Sequence, residues 1–171
     1  MMKTLQEIQI EQRAWSLKNF GEHPSWHPLM GIMEELGELA HAFLKREQGI
    51  RGTREEHDAA IKDAIGDVMI YLMDFCSCEG VVTTYVASNH DPREAHAALF
   101  ALQHQLGSMT ADQFADRSDS LGDRATTFVH TLARFCTTQN LDLLTVVNET
   151  WDRVSKRDWT KNKVDGGDSV V

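Results

Sequence analysis

Two acidic clusters hold the residues of this chain best suited to chemistry. The first is Met33-Glu34-Glu35-Leu36-Gly37-Glu38-Leu39, and the second is Asp63-Ala64-Ile65-Gly66-Asp67-Val68. On a helix turning about 100° per residue, Glu35 and Glu38 stand roughly 60° apart, and Asp63 and Asp67 roughly 40° apart. Each pair therefore shares a face, while Glu34 points further round, toward His41. Both sets are wedged among apolar residues, so their carboxylates lose hydration and repel one another. A bound divalent cation is the simplest agent that makes such an arrangement tolerable. Oxygen donors without Cys or His clusters suit Mg²⁺ or Mn²⁺, and such a site leaves coordination positions open for substrate phosphates.

The competing explanation is electrostatic and bland. Glu34, Glu35 and Glu38 would form a solvated face pairing with Lys45 and Arg46. Asp63 would pair with Lys62 or Arg54, and Asp67 would be satisfied by a tryptophan N–H or an arginine. For any one of these residues taken alone, that explanation is the better one. For the two clusters together, metal binding is favoured, because perturbed carboxylates concentrate at functional sites.

The elements that must position these residues read as helices. Apolar residues recur at three- and four-residue spacing, and no run alternates with period two. A first helix is expected over about 4–19 and a turn-rich connection over 21–28. A second helix over about 28–48 ends at Gly49. A third over about 53–79 opens on Thr53-x-x-Glu56, a capping box. Its stretch Val68-Met-Ile-Tyr-Leu-Met73 is apolar on every side, so the helix is expected to be buried, with Asp67 at least partly buried at its start. A connection covers 82–91, and Asp91-Pro92 reads as the start of a short helix to about 106. Thr110-x-x-Gln113 reads as the cap of another. Longer helices follow over about 118–139 and 141–159.

The whole chain narrows the class. Its 171 residues suffice for one domain with a core, and 42% apolar with 25% charged residues does not describe a disordered chain. A formal charge of −9 argues against a nucleic-acid polymer or an anionic membrane as partner, since both need a basic face. No apolar run spans a bilayer, and no secretory leader pattern opens the chain. Cys76, Cys78 and Cys136 read as reduced thiols of a cytoplasmic protein. Cys76-x-Cys78 could be half of a zinc site, but no second Cys pair or nearby His cluster completes it.

The acidic motifs resemble those of the MazG-like all-α nucleoside triphosphate pyrophosphohydrolases. Glu34-Glu35-Leu36-Gly37-Glu38-Leu39 and Lys62-Asp63-Ala64-Ile65-Gly66-Asp67-Val68 look like the family's Glu-Glu-x-x-Glu followed by Glu-x-x-Asp. Trp151-x-x-Val154-x-x-Arg157-Asp158-Trp159 is similar to the last helix of one subgroup. The resemblance covers about residues 5–81 and 141–163. It implies an all-α helical bundle, a four-helix core plus extra helices, as one domain over 1–163. Residues 82–140 form an atypical helical segment, and 164–171 a flexible tail.

The resemblance further implies Mg²⁺-dependent cleavage (Mn²⁺ also serving) between the α- and β-phosphates of an NTP or dNTP, giving monophosphate and pyrophosphate. Glu35, Glu38 and Asp67 match the family's metal ligands, and Glu34 the position that orients or deprotonates the attacking water. Ala64 stands where the family has Glu, so Asp63 is the candidate to replace that ligand. Lys45, Arg46, Lys156 and Arg157 are candidate clamps for pyrophosphate, and Asn148 a candidate reader of base or sugar. Trp26 is a candidate stacking surface, whereas Trp151 lies on the apolar stripe of the last helix. The family implies a homodimer or homotetramer. The rival reading is a helical binding or regulatory module that kept the bundle and lost catalysis.

Overall fold

Thr4 begins the fold. Its hydroxyl accepts from the Glu7 amide while the Glu7 carboxylate accepts from the Thr4 amide, a reciprocal cap that starts α1 (Leu5–Phe20). The computed structural model describes residues 2–85, 94–115, 120–164 and 166. Five more helices follow among them: α2 (Trp26–Gln48), α3 (Arg54–Cys78), α4 (Ala95–Phe114), α5 (Leu121–Thr138) and α6 (Leu143–Val154). The described residues contain no strand, and the protein is all-α. None of these helices is long and apolar enough to cross a membrane.

The central element is α3, which packs against α1, α2, α5 and α6. Ile65, Val68, Met69, Leu72, Met73, Phe75 and Cys76 are all buried, so its apolar residues are covered from several sides, as its composition requires. The helix starts at Thr53 through a second capping box with Glu56. Helix α2 ends at Gly49, whose φ of 63° places it in the left-handed region that glycine tolerates best. Together α2 and α3 form an antiparallel hairpin. Gly31 lies against Tyr71 at one end, and Arg46 donates to Asp58 at 2.6 Å near the other.

A second antiparallel hairpin is formed by α4 and α5, with Gln105 bonded to Thr131 at 2.9 Å and Arg124 to Asp112. It covers the first hairpin through α2 and α3. Helix α4 runs unbroken through Thr110, whose hydroxyl returns to the Leu106 carbonyl at 2.8 Å rather than capping a new helix. The expected helix start at Asp91-Pro92 lies outside the described residues.

Two boundaries differ from the sequence expectation. Helix α2 begins at Trp26, so part of the expected connection is helical. Helix α6 starts at its cap Asp142 and stops at Val154, well short of Trp159. Beyond that stop Asp158 holds the chain in a turn. Its carboxylate accepts from the Thr160 amide and hydroxyl, at 3.2 and 2.5 Å, and from Lys18 at 3.0 Å. These bonds, the Thr160 hydroxyl foremost and Lys18 next, hold the Asp158 carboxyl well below the usual carboxylate range. A short side chain that bonds its own downstream backbone favours a turn over a helix. The turn is docked on α1, where Asn19 accepts from the Trp159 amide at 2.7 Å and Trp15 donates to the Arg157 carbonyl at 2.9 Å. Of the tail expected to be flexible, Gly166 is described: it is buried and its carbonyl accepts from the Asp158 amide at 2.7 Å.

Candidate functional site

Two close approaches set the register of the acidic residues. A Cβ on Gly31 would collide with the Tyr71 ring, so glycine there lets α3 come in tight against α2. Glu35 is one turn beyond Gly31, and Asp67 one turn before Tyr71. In an antiparallel hairpin that brings Glu35 and Asp67 to the same level, with Glu38 and Asp63 in the next turn along. A Cβ on Gly66 would collide with Thr150, which brings α6 equally close to α3 beside Asp67.

The electrostatics follow from this packing. Glu35 is half-buried, and its carboxyl is pushed up to about 7, first by lost hydration, then by the charges of Asp67, Glu38, Glu34 and Asp63. Asp67 is pushed up to about 6 by burial and by Asp63, against the opposing pull of Arg153 and Arg157. The Tyr71 phenol is also raised, chiefly by burial and then by Glu35, Glu34, Asp67 and Asp74. The five predicted carboxylates thus share one field, and the expectation that Asp67 is partly buried holds.

Helix α6 supplies the opposing charge. Arg153 forms an ion pair with Asp63 and lies 3.8 Å from Asp67, and Lys62 pairs with Glu149 on the same helix. The sequence reading passed over Arg153. Its signal was available, since it stands four residues before Arg157 and therefore on the same side of a helix. What the sequence did not show was that Gly66 and Thr150 would bring that side of α6 onto α3. The expected partners Lys62 and Arg54 do not neutralise Asp63: Lys62 goes to Glu149, and Arg54 lies 3.8 Å from Asp58.

The remaining predicted residues divide. Glu34 and Glu38 are exposed on α2, flanking Glu35. Arg157 lies close enough to oppose the rise of Asp67, although it sits in a turn and not on the helix. Lys156 is exposed beside it. Lys45, two turns past Glu38, donates to Gln48 at 3.0 Å. Arg46 is committed to the hairpin, bonding Asp58 and Gln139 at 2.6 Å each with its guanidinium over the Phe43 ring.

Asn148 is fully engaged. It accepts from the Lys3 amide at 2.8 Å and donates to the Lys3 and Leu144 carbonyls at 2.9 Å each, which ties the start of the chain to α6. The amide of Asn148, expected as a base or sugar contact, makes its hydrogen bonds within the fold. Ala64, where the family pattern has Glu, is 3% exposed and faces the core. Trp151 is buried with its indole N–H on Glu11 at 2.7 Å, whereas Trp26 is 49% exposed. Trp26 opens an apolar cleft between α2 and α4, lined also by Met30, Met33, Leu106 and Phe114. Met30 is one turn before Glu34, so Glu34 borders the cleft, whereas Glu35 faces α3 on the other side of α2.

The residues of the α2–α3 cluster suit a hard divalent cation in type, since all are oxygen donors and their mutual repulsion lacks sufficient compensation. Among the described residues, Glu34, Glu35, Glu38 and Asp67 are the members not held in an ion pair closer than the 3.8 Å contact of Asp67 with Arg153. Their oxygens are not gathered into a coordination sphere. Among the described residues, the donor atoms drawn within 4.8 Å of one another belong to His23, Asp74 and Cys78. Comparison with known proteins finds no match: no family model, curated protein or solved structure is similar to this chain.

Proposed function

We propose that this all-α protein is a nucleoside triphosphate pyrophosphohydrolase acting in nucleotide-pool clean-up, with the α2–α3 carboxylates as its Mg²⁺ or Mn²⁺ site. The observation that carries the reading is the half-buried Glu35, held at about 7 by burial and four neighbouring carboxylates. A fold retains such an arrangement at a cost, and a divalent cation is what offsets it. Glu35, Glu38 and Asp67 would hold the ion, which when bound neutralises phosphate charge and acidifies a bound water.

The chain's own residues supply the rest. Glu34, exposed beside the ligands and one turn from the cleft, orients or deprotonates the attacking water. Arg153 holds Asp63 in place and, with Arg157 and Lys156, offers positive charge to the leaving pyrophosphate. The Trp26 cleft offers an apolar surface for the base. Met30, Met33, Phe100 and Phe114 leave exposed apolar surface on α2 and α4, which supports a homodimer or homotetramer. Light scattering on the purified protein measures that directly.

A pyrophosphate-release assay over NTPs and dNTPs, with Mg²⁺ or Mn²⁺, tests the activity. Turnover abolished by Asp67→Asn and Glu38→Gln in folded protein supports the reading, and turnover of no member of the panel defeats it. One observation favours a second reading, a binding module without catalysis. Arg153 already neutralises Asp63, and the position of the family's fourth acid is a buried alanine. Isothermal titration showing no Mg²⁺ or Mn²⁺ binding would select that reading.

A further inference from the structure

A second group of metal-ligating side chains lies at the far end of α3. His23, from the α1–α2 connection, meets Asp74 and Cys78 of α3, fifty-five residues from it in the case of Cys78. The His23 Nε2 is 3.0 Å from Asp74 Oδ2 and 3.8 Å from Cys78 Sγ, and the donor atoms all lie within 4.8 Å of one another. This cluster completes what Cys76-x-Cys78 alone left incomplete. The cysteine that takes part is Cys78, whereas Cys76 is buried in the core. We propose that His23, Asp74 and Cys78 bind one transition-metal ion of the zinc class, separate from the carboxylate site of α2 and α3.

Three observations carry this. The first is the set of donors: one imidazole nitrogen, one carboxylate and one thiolate suit a borderline-soft ion such as Zn²⁺ or Co²⁺ and not Mg²⁺. With bonds of about 2.0–2.3 Å in a tetrahedron, nitrogen and oxygen donors stand about 3.4 Å apart, and nitrogen and sulfur about 3.6 Å. The separations of 3.0 and 3.8 Å are each within a few tenths of an ångström of those values.

The second is the orientation of the ring. His23 Nδ1 lies 3.0 Å from the Gly21 carbonyl, which accepts only, so in a ring that binds an ion through Nε2 the one proton sits on Nδ1. That backbone bond is how metal-ligating histidines are usually aimed, and it leaves the Nε2 lone pair directed at Asp74 and Cys78.

The third is an orphan. Asp74 Oδ1 is buried without a hydrogen-bond partner, on a side chain 10% exposed. A buried carboxylate oxygen left bare is costly, and an ion that Asp74 holds through both of its oxygens satisfies it. An imidazolium–carboxylate pair would engage Oδ2 alone.

Charge closes around a divalent ion. Neutral His23 with ionised Asp74 and Cys78 balances it, the thiol proton passing to solvent on ligation. Arg13, 3.7 Å from Cys78 Sγ, is itself paired with Glu22 at 2.7 Å. Three protein ligands leave a fourth position for water. The ion would tie the α1–α2 connection to the end of α3.

The test uses the full chain, stripped with chelator and titrated with Co²⁺ alone. One equivalent is expected to bring up a thiolate-to-cobalt charge-transfer band in the near ultraviolet, with visible d–d bands. Excess Zn²⁺ should bleach both. Cys78→Ser should remove the charge-transfer band, and His23→Asn should weaken Co²⁺ binding by at least about tenfold. Glu38→Gln should leave the band intact, which keeps this site distinct from the proposed Mg²⁺ site. Circular dichroism confirms that each variant is folded. If Asp74→Asn does not fold, His23→Asn in the connection still decides the matter. Absence of the band in the parent protein, or its survival in Cys78→Ser, overturns the proposal and leaves an ion pair beside a free thiol.

Discussion

Replacing Glu35 with glutamine should make the metal-free protein more stable. The amide keeps the shape of the carboxylate and removes a charge that burial and four like charges oppose. In the unfolded chain Glu35 loses its proton near 4.5, and in the fold near 7. Between those values the folded state holds a proton that the unfolded state has released. Stability therefore falls as pH rises from about 4.5 to 7, and the full penalty stands above 7. At about 1.4 kcal/mol per pH unit of displacement, the ceiling is about 3.4 kcal/mol. Glu35 is only half-buried, so solvent screening reduces this to on the order of 1–2 kcal/mol.

Urea unfolding in EDTA measures the difference. Glu35→Gln should exceed the parent protein by on the order of 1–2 kcal/mol at alkaline pH, and match it at acidic pH where both side chains are neutral. Its stability curve should be shallower but not flat, because Asp67, raised to about 6, contributes its own decline at lower pH. Added Mg²⁺ should stabilise the parent protein more than the variant. Equal or lower stability of the variant at alkaline pH, or an undiminished slope, would refute the claim that this cluster is held under electrostatic stress.

Three further outcomes are expected. Gly66→Ala should cost roughly 1–3 kcal/mol in thermal or urea unfolding, since its methyl group collides with Thr150 and forces α6 off α3. Arg153→Ala should raise the Asp67 carboxyl further above about 6, read as an upward move of its carboxyl carbon-13 titration midpoint, because the arginine opposes the rise. Asn148→Ala should lower stability by about 1–2 kcal/mol through lost bonds to Lys3, while leaving KM for any nucleotide unchanged; a raised KM would place Asn148 in the site.

Much of the helical framework was legible because the local rules agreed. Thr53-x-x-Glu56 starts α3 as a capping box should, Gly49 stops α2, and the apolar run after Asp67 is buried as its composition demands. The acidic cluster was legible for the same reason, since helical spacing alone sets which carboxylates share a face. What escaped depends on contacts between residues far apart in the chain. Arg153 reaches Asp63 only because Gly66 admits Thr150, and His23 reaches Cys78 only because the α1–α2 connection folds back onto the end of α3. The turn after α6 was missed because Asp158 competes for its own backbone, a short-range preference hidden by a stretch that keeps helical spacing. The tie between Asn148 and Lys3 was hidden by separation in sequence, since the partner is the third residue of the chain.

The acids and the arginine that faces them are unequally fixed. Asp63 and Asp67 stand on α3, which packs against four other helices. Arg153 stands in the last turn of α6 and reaches the two acids with a long side chain that is 49% exposed. Rotation of that side chain into solvent would withdraw the guanidinium while the carboxylates stay fixed. A cation of the kind proposed for this cluster would have this half-exposed guanidinium to displace, and the helices that carry the carboxylates would not need to move.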